Sequence, residues 1–397
     1  MKFDLVFEGG GAKGMVFIGA LKEIEERGHA FGRLMGTSAG AIMATFLATG
    51  YDAAEMAEVL NERIDGKPAF VQFMGAPEAF DADVIKASAT REWLQEADLP
   101  LLRGEMEDRV DDWIVDTLLG SALYRHIFSF VERGGWYSAD AFLDWLRSKL
   151  NVGMFNGQPR QFGAMTLAEF YEATGADLTL LAADISGGRL LVLNHRTAPQ
   201  LPLAWAVRMS MSIPLLWQEV IWQPSWGSYR DKDISGNAVV DGGLLSNFPI
   251  ELLITEEPMW TAVMGPKQDN VLLGMLIDEG IAVPGAPSDQ DGSDGAATEL
   301  RTVNRLKALV ETVTQARDKG VISAYKQFVI RLPAKGYGTT EFDMSDERRD
   351  ALVDAGQAFT KQYFDQMGEL LPTTSPAFEV IGFYDQADEV AARLLAD

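Results

Sequence analysis

Met35-Gly36-Thr37-Ser38-Ala39-Gly40 has the Gly-x-Ser-x-Gly form of a nucleophile elbow, a sharp turn that presents a serine between a strand and a helix. The glycines are needed because a side chain two residues from the serine would collide with the backbone that crosses the turn. The flanking residues agree with this turn, since residues 31–35 predict a short strand and residues 41–48 a buried helix that ends at Gly50. Ser38 would then lie at a helix N-terminus, where free N–H groups favour developing negative charge.

A glycine-rich loop, Gly9-Gly10-Gly11-Ala12-Lys13-Gly14, lies one strand earlier in the chain. Residues 3–7, before the loop, predict a strand, and residues 15–27, after it, have the apolar spacing of a helix. Consecutive parallel strands of a βαβ unit lie side by side, and the loops that follow them emerge at the same edge of the sheet. We therefore expect the glycine-rich loop to face Ser38.

The backbone of this loop predicts an oxyanion hole. The N–H groups of Gly10, Gly11 and Ala12 can approach a tetrahedral intermediate closely, because a backbone without side chains leaves room for it. The side chain of Lys13 would add a positive charge nearby, and an exposed lysine at the start of a helix is an equally good interpretation of this residue. Chemistry at such a site requires no metal and no organic cofactor.

The same glycines also fit the Gly-x-Gly-x-x-Gly pattern of a dinucleotide-binding fold, through Gly9, Gly11 and Gly14. A dinucleotide site requires an acidic residue at the end of the next strand to bind the ribose, and this chain has Gly36-Thr37-Ser38 there. A phosphate-binding P-loop is disfavoured as well, because no Gly-Lys-Ser or Gly-Lys-Thr sequence follows the glycines. The dinucleotide interpretation is therefore the less favoured one.

A serine needs a base to act as a nucleophile at neutral pH, and histidine is the usual one. The chain has three histidines. His29 precedes the second strand and is expected at the opposite edge of the sheet from Ser38, while His126 and His195 lie in no loop-forming motif. A carboxylate that acts directly on the serine is therefore the better prediction.

Two aspartates at strand ends are candidates for this carboxylate. Residues 236–240 predict a short strand that ends in Asp241-Gly242-Gly243, and residues 177–184 predict a buried strand that ends in Asp184. The glycines after the first of these strands permit a tight turn, which would present Asp241 as the elbow presents the serine. We expect Asp241 to be the base, with Asp184 as the competing candidate, and this role requires a raised pKa or a short contact with the serine.

Composition restricts the partners of the chain. Apolar residues make up 47% and charged residues 23% of its 397 residues, the formal net charge is −24, and cysteine is absent. The negative charge disfavours nucleic acid and electrostatic docking on anionic lipid, so any peripheral contact with a membrane would be apolar. No apolar run is long enough to span a bilayer, the N-terminus does not resemble a signal peptide, and the lack of disulfides fits the reducing cytoplasm.

We expect one α/β domain, residues 1–397, with three stretches that the motifs leave unassigned. Residues 51 to about 165 predict an acidic helical insertion, whose aromatic and methionine side chains form a core, line an acyl-chain cavity or form a lid. These side chains are Phe70, Phe73, Met74, Phe80, Trp93, Trp113 and Trp136. Residues 280 to about 298 predict a mobile loop, and residues 299–397 predict a closing segment of strand and helix.

Three motifs at strand ends resemble the patatin-like phospholipase family: Gly-Gly-Gly-Ala-Lys-Gly at the first turn, Gly-Thr-Ser-Ala-Gly at the second, and Asp-Gly-Gly later in the chain. Arg208-Met209-Ser210-Met211-Ser212-Ile213-Pro214 and Asn247-Phe248-Pro249 are also similar to the family. The resemblance covers residues 1–50 and about 175–250, with a weaker similarity in residues 342–364. The insertion and the 280–298 loop are not covered by it.

The resemblance implies a three-layer α/β/α fold with a mostly parallel central sheet, a dyad of Ser38 and Asp241, and an oxyanion hole at Gly10, Gly11 and Ala12. It also implies a hydrolase that releases free fatty acid from a phospholipid or another lipid ester through an acyl-serine intermediate. A second hypothesis is a ligand-gated or partner-gated effector that degrades membrane lipid, in which the acidic insertion or the mobile loop controls the same site.

Overall fold

The computed structural model describes residues 1–77, 80, 84, 88–89, 122–287 and 325–367. The strands in these residues are β1 Lys2–Phe7, β2 Ala30–Thr37, β3 Arg63–Ile64, β4 Lys67–Pro68, β5 Gly135–Tyr137, β6 Met154–Phe155, β7 Gln158–Pro159, β8 Leu178–Asp184, β9 Arg189–Leu193, β10 Leu215–Trp217, β11 Val220–Ile221, β12 Ala238–Asp241, β13 Val271–Ala282 and β14 Val329–Lys335.

The α-helices in the same residues are α1 Val16–Glu26, α2 Ala39–Ala48, α3 Ala53–Leu60, α4 Ala69–Phe73, α5 Ala122–Glu132, α6 Asp140–Lys149, α7 Leu167–Thr174, α8 Leu203–Ser210, α9 Pro258–Met264 and α10 Asp346–Met367. A short 3-10 helix, Gly11–Met15, precedes α1 and contains part of the glycine-rich loop. Within the described ranges, no helix has both the length and the apolar character needed to cross a membrane.

Eight strands of the described residues form one sheet, in the order β11-β12-β8-β2-β1-β13-β14, with β9 also paired to β8. Five neighbouring strands of the sheet, β8, β2, β1, β13 and β14, run parallel, whereas β9 and β12 are antiparallel to β8. All residues of β8 are buried, as expected for a strand covered on both faces. The prediction of a mostly parallel central sheet is confirmed.

The two faces of the sheet are covered by different parts of the chain. In β1, Leu5 and Phe7 face a core that includes α1, α2, α8 and α10, whereas Val6 faces a second core built largely from residues 248–264. Successive side chains of a strand point to opposite faces, and Leu5, Val6 and Phe7 are all apolar and buried, so β1 contributes to both cores. The sheet between two covering layers confirms the predicted α/β/α architecture.

The described part of the helical insertion contains α3 to α6 and short strand pairs. Phe73 packs against Phe142 and Trp145, with ring centres 5.7 and 5.4 Å apart, so this part of the insertion contributes to the core. Trp93 and Trp113, together with most of the predicted helical segments around them, lie outside the described residues. A lid formed by the insertion stays a prediction.

The C-terminal third has two of its predicted elements in the described residues. The strand expected at 327–332 is present as β14, and the helix expected after Ser345 is present as α10. Residues 280–282, the start of the predicted loop, belong to β13, which pairs with β14 to its last residue. Residues 288–298 of that loop, and the helix expected at 299–317, lie outside the described residues.

Candidate active site

Ser38 occupies the turn between β2 and α2, with backbone angles φ 55° and ψ −121°. Positive φ is uncommon for a residue with a side chain, and holding a residue in such a conformation costs of the order of 1–3 kcal/mol. The neighbouring glycines make the turn possible, because a Cβ on Gly36 would collide with the carbonyl of Gly40, and one on Gly40 with the carbonyl of Phe7. The glycines of the Gly-x-Ser-x-Gly sequence are therefore required by the close approach of the backbone.

Asp241 lies next to Ser38 because β2 and β12 pair with successive parts of the same edge of β8, and their C-terminal ends meet there. Thr37, the last residue of β2, pairs with Leu181 of β8, and Asp241, the last residue of β12, pairs with the next residue, Ala182. The other edge of β8 is occupied by β9 at both positions. The carboxyl ends of a parallel and an antiparallel strand thus meet head-on, which brings the serine and the carboxylate together.

The Asp241 carboxylate lies in a buried environment, with 4% of the residue exposed. Its Oδ1 accepts the N–H of Gly243 at 2.8 Å, and the Ser38 hydroxyl interacts with it as a hydrogen-bond donor. Among the described residues, no lysine or arginine pairs with it. Burial raises the pKa of Asp241 to about 7, and the two hydrogen bonds offset this rise only in part. A pKa near neutral pH suits a general base.

The glycine-rich loop faces Ser38, as the sequence predicts. A Cβ on Gly9 would lie 3.0 Å from the Cβ of Ser38. Asn247 holds the loop in place, since its carbonyl accepts the N–H of Gly9 at 3.2 Å and its Nδ2 donates to the Gly9 carbonyl at 2.8 Å. Because Asn247 belongs to the segment after β12, the loop is tied to the part of the chain that presents Asp241.

The three predicted oxyanion donors differ in their availability. Within the described part of the chain, the N–H groups of Gly10 and Gly11 have no hydrogen-bond acceptor. The N–H of Ala12 donates to the carbonyl of Thr339 at 2.9 Å. Gly11 has φ 56°, and a side chain there would collide with the same carbonyl, so glycine is required. Two of the three N–H groups are therefore free to bind an oxyanion in this structure, and the third is occupied.

Lys13 is buried rather than exposed at the start of the helix. Only 4% of the residue is accessible, and its Nζ forms an ion pair with Glu279 of β13. The Glu279 side chain is itself half exposed. A carboxylate therefore balances the positive charge that lies next to the glycine-rich loop.

Asp184, the competing carboxylate, is satisfied by other partners. Its side chain accepts the N–H of Gly187 at 2.8 Å, Nε of Arg189 at 2.9 Å and Nδ2 of Asn237 at 2.8 Å. These three donors, one of which is a cation, compensate for complete burial of the carboxylate. Since none of them belongs to the elbow, Asp184 is not placed to act on Ser38.

The histidines make their contacts elsewhere in the molecule. His29 packs against phenylalanine rings of the core, His126 stacks on Trp136, and His195 stacks on Tyr171 with ring centres 3.7 Å apart. Within the ranges that the structure describes, no histidine contacts the serine of the elbow or the aspartate beside it. These positions agree with the choice of a carboxylate as the candidate base.

An apolar pocket opens beside Ser38. It encloses about 870 Å³, part of which is open to solvent, and its wall includes Ser38, Gly11 and Ala12. Its apolar lining comes from α2, from the insertion and from the segments after α8 and before α10: Ile42, Leu60, Phe70, Met211, Trp217 and Phe342. The pocket would present an apolar ligand to the Ser38 hydroxyl.

Two segments that are distant in sequence form the outer wall of this pocket. Phe70 of the insertion stacks on Phe342, with ring centres 5.6 Å apart and planes 14° from parallel. Arg63 of the insertion pairs with Asp346 at the start of α10, at 2.6 Å. The insertion therefore contributes directly to the pocket, as the interpretation of its aromatic residues allows.

Three residues of the site were not found from the sequence: Ser210, Asn247 and Thr339. Ser210 accepts the N–H of Ser38 at 3.1 Å through its Oγ. Ser210 and Asn247 belong to the two stretches that are similar to the patatin-like family, and this similarity was the available signal. Thr339 acts through its backbone carbonyl, which every residue has, so the sequence carries no signal for it.

The sequence matches a known family over most of the region that builds this site. A family model described as "Patatin-like phospholipase" matches residues 5–254, a range that includes both glycine motifs and Asp241. The chain therefore belongs to the patatin-like phospholipase family, and it is a hydrolase of this family.

Individual proteins are similar to the chain at sequence identities below 30%. The uncharacterized protein YqhO of Bacillus subtilis is 28% identical over 375 residues, which cover 92% of this chain and 99% of YqhO. Among solved structures, VipD from Legionella pneumophila is 16% identical with a TM-score of 0.44, and the match covers 99% of this chain and 74% of VipD. ExoU from the type III secretion system of Pseudomonas aeruginosa, solved in complex with SpcU, is 16% identical with a TM-score of 0.40. That match covers 92% of this chain and 52% of ExoU, so the chain spans about half the length of ExoU.

Proposed function

We propose that the protein is a lipid acyl hydrolase with a serine-aspartate dyad, in which Ser38 is the nucleophile and Asp241 is the base. The observation behind this proposal is that the buried Asp241 carboxylate, with no cation paired to it among the described residues, interacts with the hydroxyl of Ser38, which lines an apolar pocket. Membership of the patatin-like phospholipase family supports a phospholipid or another lipid ester as the substrate.

The reaction begins as the Ser38 Oγ attacks the ester carbonyl and its proton passes to Asp241. A carboxylate with a pKa of about 7 can accept this proton and then donate it to the departing alkoxide. Cleavage of the ester C–O bond releases the alcohol part of the lipid and leaves an acyl-serine. Water that gives its proton to Asp241 then attacks the acyl-serine, which releases a free fatty acid and restores Ser38.

The glycine-rich loop stabilises the negative charge that develops on the carbonyl oxygen. The free N–H groups of Gly10 and Gly11 are the donors, and the N–H of Ala12 becomes a third donor when the carbonyl of Thr339 moves away. Losing one such donor costs about 10²- to 10³-fold in rate. The apolar pocket beside Ser38 holds the acyl chain.

The net charge of the chain bears on the kind of lipid surface that it can approach. A formal net charge of −24 repels anionic lipid surfaces, so we propose that any peripheral contact with a membrane is apolar; the lack of cysteine fits a location in the reducing cytoplasm. Zwitterionic vesicles are for this reason the first substrate to test.

Analysis of lipid products with wild type beside Ser38→Ala tests the proposed function. Both proteins are incubated with phosphatidylcholine vesicles, and released fatty acid is measured by mass spectrometry. The wild type should release fatty acid, and Ser38→Ala should release none above background while it melts at the wild-type temperature. Equal release by the two proteins would show that Ser38 is not the nucleophile.

A gated form of the same hydrolase is a second candidate, and one contact favours it. The carbonyl of Thr339 occupies the N–H of Ala12, and the segment that follows Thr339 stacks on the insertion through Phe342 and Phe70. A ligand or partner that displaced this segment would free the third oxyanion donor.

Phe342→Ala separates the gated from the ungated form, because it removes the stacking that holds the segment. A gated hydrolase should show a higher kcat in Phe342→Ala than in the wild type at saturating substrate. An unchanged or lower kcat would speak against gating by this segment and leave the dyad unaffected.

A further inference from the structure

A short strap, residues 208–212, contacts the backbone of both Ser38 and Asp241. The Oγ of Ser210 accepts the N–H of Ser38 at 3.1 Å, and the carbonyl of Ser212 accepts the N–H of Asp241 at 2.9 Å. Both serines of the strap are completely buried. The strap therefore connects residues at the ends of two different strands, β2 and β12, at the point where those strands meet.

Ser38 depends on an acceptor from outside its own strand and helix. It follows the last paired residue of β2 and precedes α2, so neither element supplies an acceptor for its N–H. Only 6% of the residue is exposed, and a buried N–H without an acceptor is unfavourable. The Ser210 hydroxyl accepts this N–H when the elbow has its bent backbone conformation. The hydrogen bond therefore favours the conformation that presents the Ser38 side chain.

Arg208 anchors the strap to neighbouring elements. Its guanidinium donates to the Oγ of Ser212, and to the carbonyls of Ser138 and Gln218 at 2.8 and 2.9 Å. Only 3% of Arg208 is exposed, and among the described residues no carboxylate forms an ion pair with its guanidinium. Burial lowers the pKa of Arg208 to about 10. A buried cation held by neutral oxygens fixes the strap next to β10 and the start of α6.

We propose that Ser210 is a positioning residue for the hydrolysis: its hydroxyl holds the Ser38 elbow in the bent conformation, while Ser212 fixes the backbone of Asp241 beside it. This inference rests on the proposed function of Ser38 and Asp241. Ser210 acts on geometry and not on proton transfer, because it binds the N–H of Ser38 rather than its hydroxyl.

Three substitutions of Ser210 separate the hydrogen bond from packing. Ser210→Ala removes the acceptor, Ser210→Cys keeps a side chain of similar shape with a weak acceptor, and Ser210→Thr keeps the hydroxyl. Ser129→Ala is the matched control, since Ser129 is also completely buried and its hydroxyl hydrogen-bonds to groups outside the elbow, the Gly135 carbonyl and the Gln218 side-chain amide.

Turnover of a soluble ester gives the first readout. Ser210→Ala and Ser210→Cys should lower kcat roughly 10- to 100-fold with KM within about twofold of wild type, because a misplaced nucleophile weakens the chemical step rather than binding. Ser210→Thr should recover most of this loss, and Ser129→Ala should keep the wild-type kcat. Wild-type kcat in both Ser210→Ala and Ser210→Cys, or an equal loss in Ser129→Ala, would overturn the inference.

Amide hydrogen exchange of the peptide that contains Ser38 gives a second readout, which does not depend on activity. Exchange at this peptide should be faster in Ser210→Ala and Ser210→Cys than in the wild type, and unchanged in Ser129→Ala. Wild-type exchange in Ser210→Ala would overturn the positioning role. If Ser38→Ala instead turned over substrate like the wild type, the proposed function would fail, and the exchange rates would still decide whether Ser210 holds the elbow.

Discussion

Asp184 and Asp241 are buried aspartates at the ends of two paired strands, and they differ in what surrounds them. Asp184 is completely buried and receives three hydrogen bonds, one of them from Arg189. Asp241 is 4% exposed and interacts with the N–H of Gly243 and the hydroxyl of Ser38, with no cation paired to it among the described residues. The two aspartates are therefore buried to a similar degree, but Asp184 forms an ion pair, whereas Asp241 has a pKa of about 7.

The difference shows that the counter-ion, and not the strand end, separates a structural carboxylate from a candidate base. A cation compensates for the loss of hydration, whereas a buried carboxylate without one holds its proton more tightly. The sequence places both aspartates at strand ends and cannot distinguish them by that position. Variants at and around the two residues test whether their roles differ in this way.

The largest loss is expected from Ser38→Ala. Without the nucleophile no acyl-serine forms, so kcat should fall by about 10⁴-fold or more. The assay is hydrolysis of a soluble ester at pH 8, with circular dichroism as the check on folding. Residual turnover within tenfold of the wild type would remove Ser38 from the mechanism.

Asp241→Asn should have the second largest effect. The amide keeps the shape of the side chain but cannot take the serine proton, and loss of a general base costs about 10²- to 10⁴-fold. Burying a neutral amide instead of a carboxylate with a raised pKa should leave the melting temperature at or above that of the wild type. If kcat were retained, Asp241 would be no more catalytic than Asp184.

Gly11→Ala should lower kcat by about 10²-fold, as expected for the loss of one oxyanion donor. Gly11 has φ 56°, and the new side chain would meet the carbonyl of Thr339, so the loop would have to shift away from Ser38. Gly28→Ala is the control, because Gly28 also has positive φ, 70°, but open space around it. Equal losses in the two variants would indicate general backbone strain and not damage to the oxyanion hole.

The pH dependence of kcat/KM follows from the pKa of Asp241. Since the carboxylate is the active form, kcat/KM should rise about tenfold per pH unit below pH 7 and level off above it. The raised pKa of Asp241 affects stability in the opposite direction. Between pH 3.8 and about 7 the folded protein keeps the proton on Asp241, whereas the unfolded chain releases it. The contribution of Asp241 to the free energy of unfolding therefore decreases as the pH rises through this range. A flat profile of kcat/KM between pH 5 and 8 would contradict the assignment of the base.

Asp184→Asn should have the smallest effect on turnover. The change removes the charge that balances Arg189, so we expect the free energy of unfolding to fall by roughly 1–3 kcal/mol, measured by urea denaturation. The kcat per folded molecule should stay within about threefold of the wild type, since Asp184 does not contact Ser38. A selective loss of kcat at unchanged stability would reverse the roles of the two aspartates.

The sequence was sufficient to predict the elbow, because this sharp turn requires glycine two residues before and two residues after the serine. Only residues without a side chain fit at positions 36 and 40, and this steric rule can be read from the sequence alone. The apolar run of β8 is an equally direct signal, because it predicted a strand that is buried on both faces, as in a parallel sheet.

The meeting of β2 and β12 could not be read in the same way. The sequence gives no direction for β12, and the structure runs it antiparallel to β8 so that it ends where β2 ends. The Thr339 contact with Ala12 likewise depends on a backbone carbonyl that comes from the far end of the chain. Such long-range contacts depend on tertiary packing, and no local pattern in the sequence signals them.

Trapping the acyl-enzyme shows directly whether Ser38 is the nucleophile and Asp241 its base. Wild type, Asp241→Asn and Asp184→Asn are mixed with a p-nitrophenyl ester, quenched in acid within one turnover, and analysed by peptide mass spectrometry. We predict an acyl adduct on the peptide that contains Ser38 in the wild type and in Asp184→Asn, formed more slowly as the pH falls below about 7, and no adduct in Asp241→Asn at the same time. An adduct that forms at the wild-type rate in Asp241→Asn, or on a peptide without Ser38, would contradict the dyad.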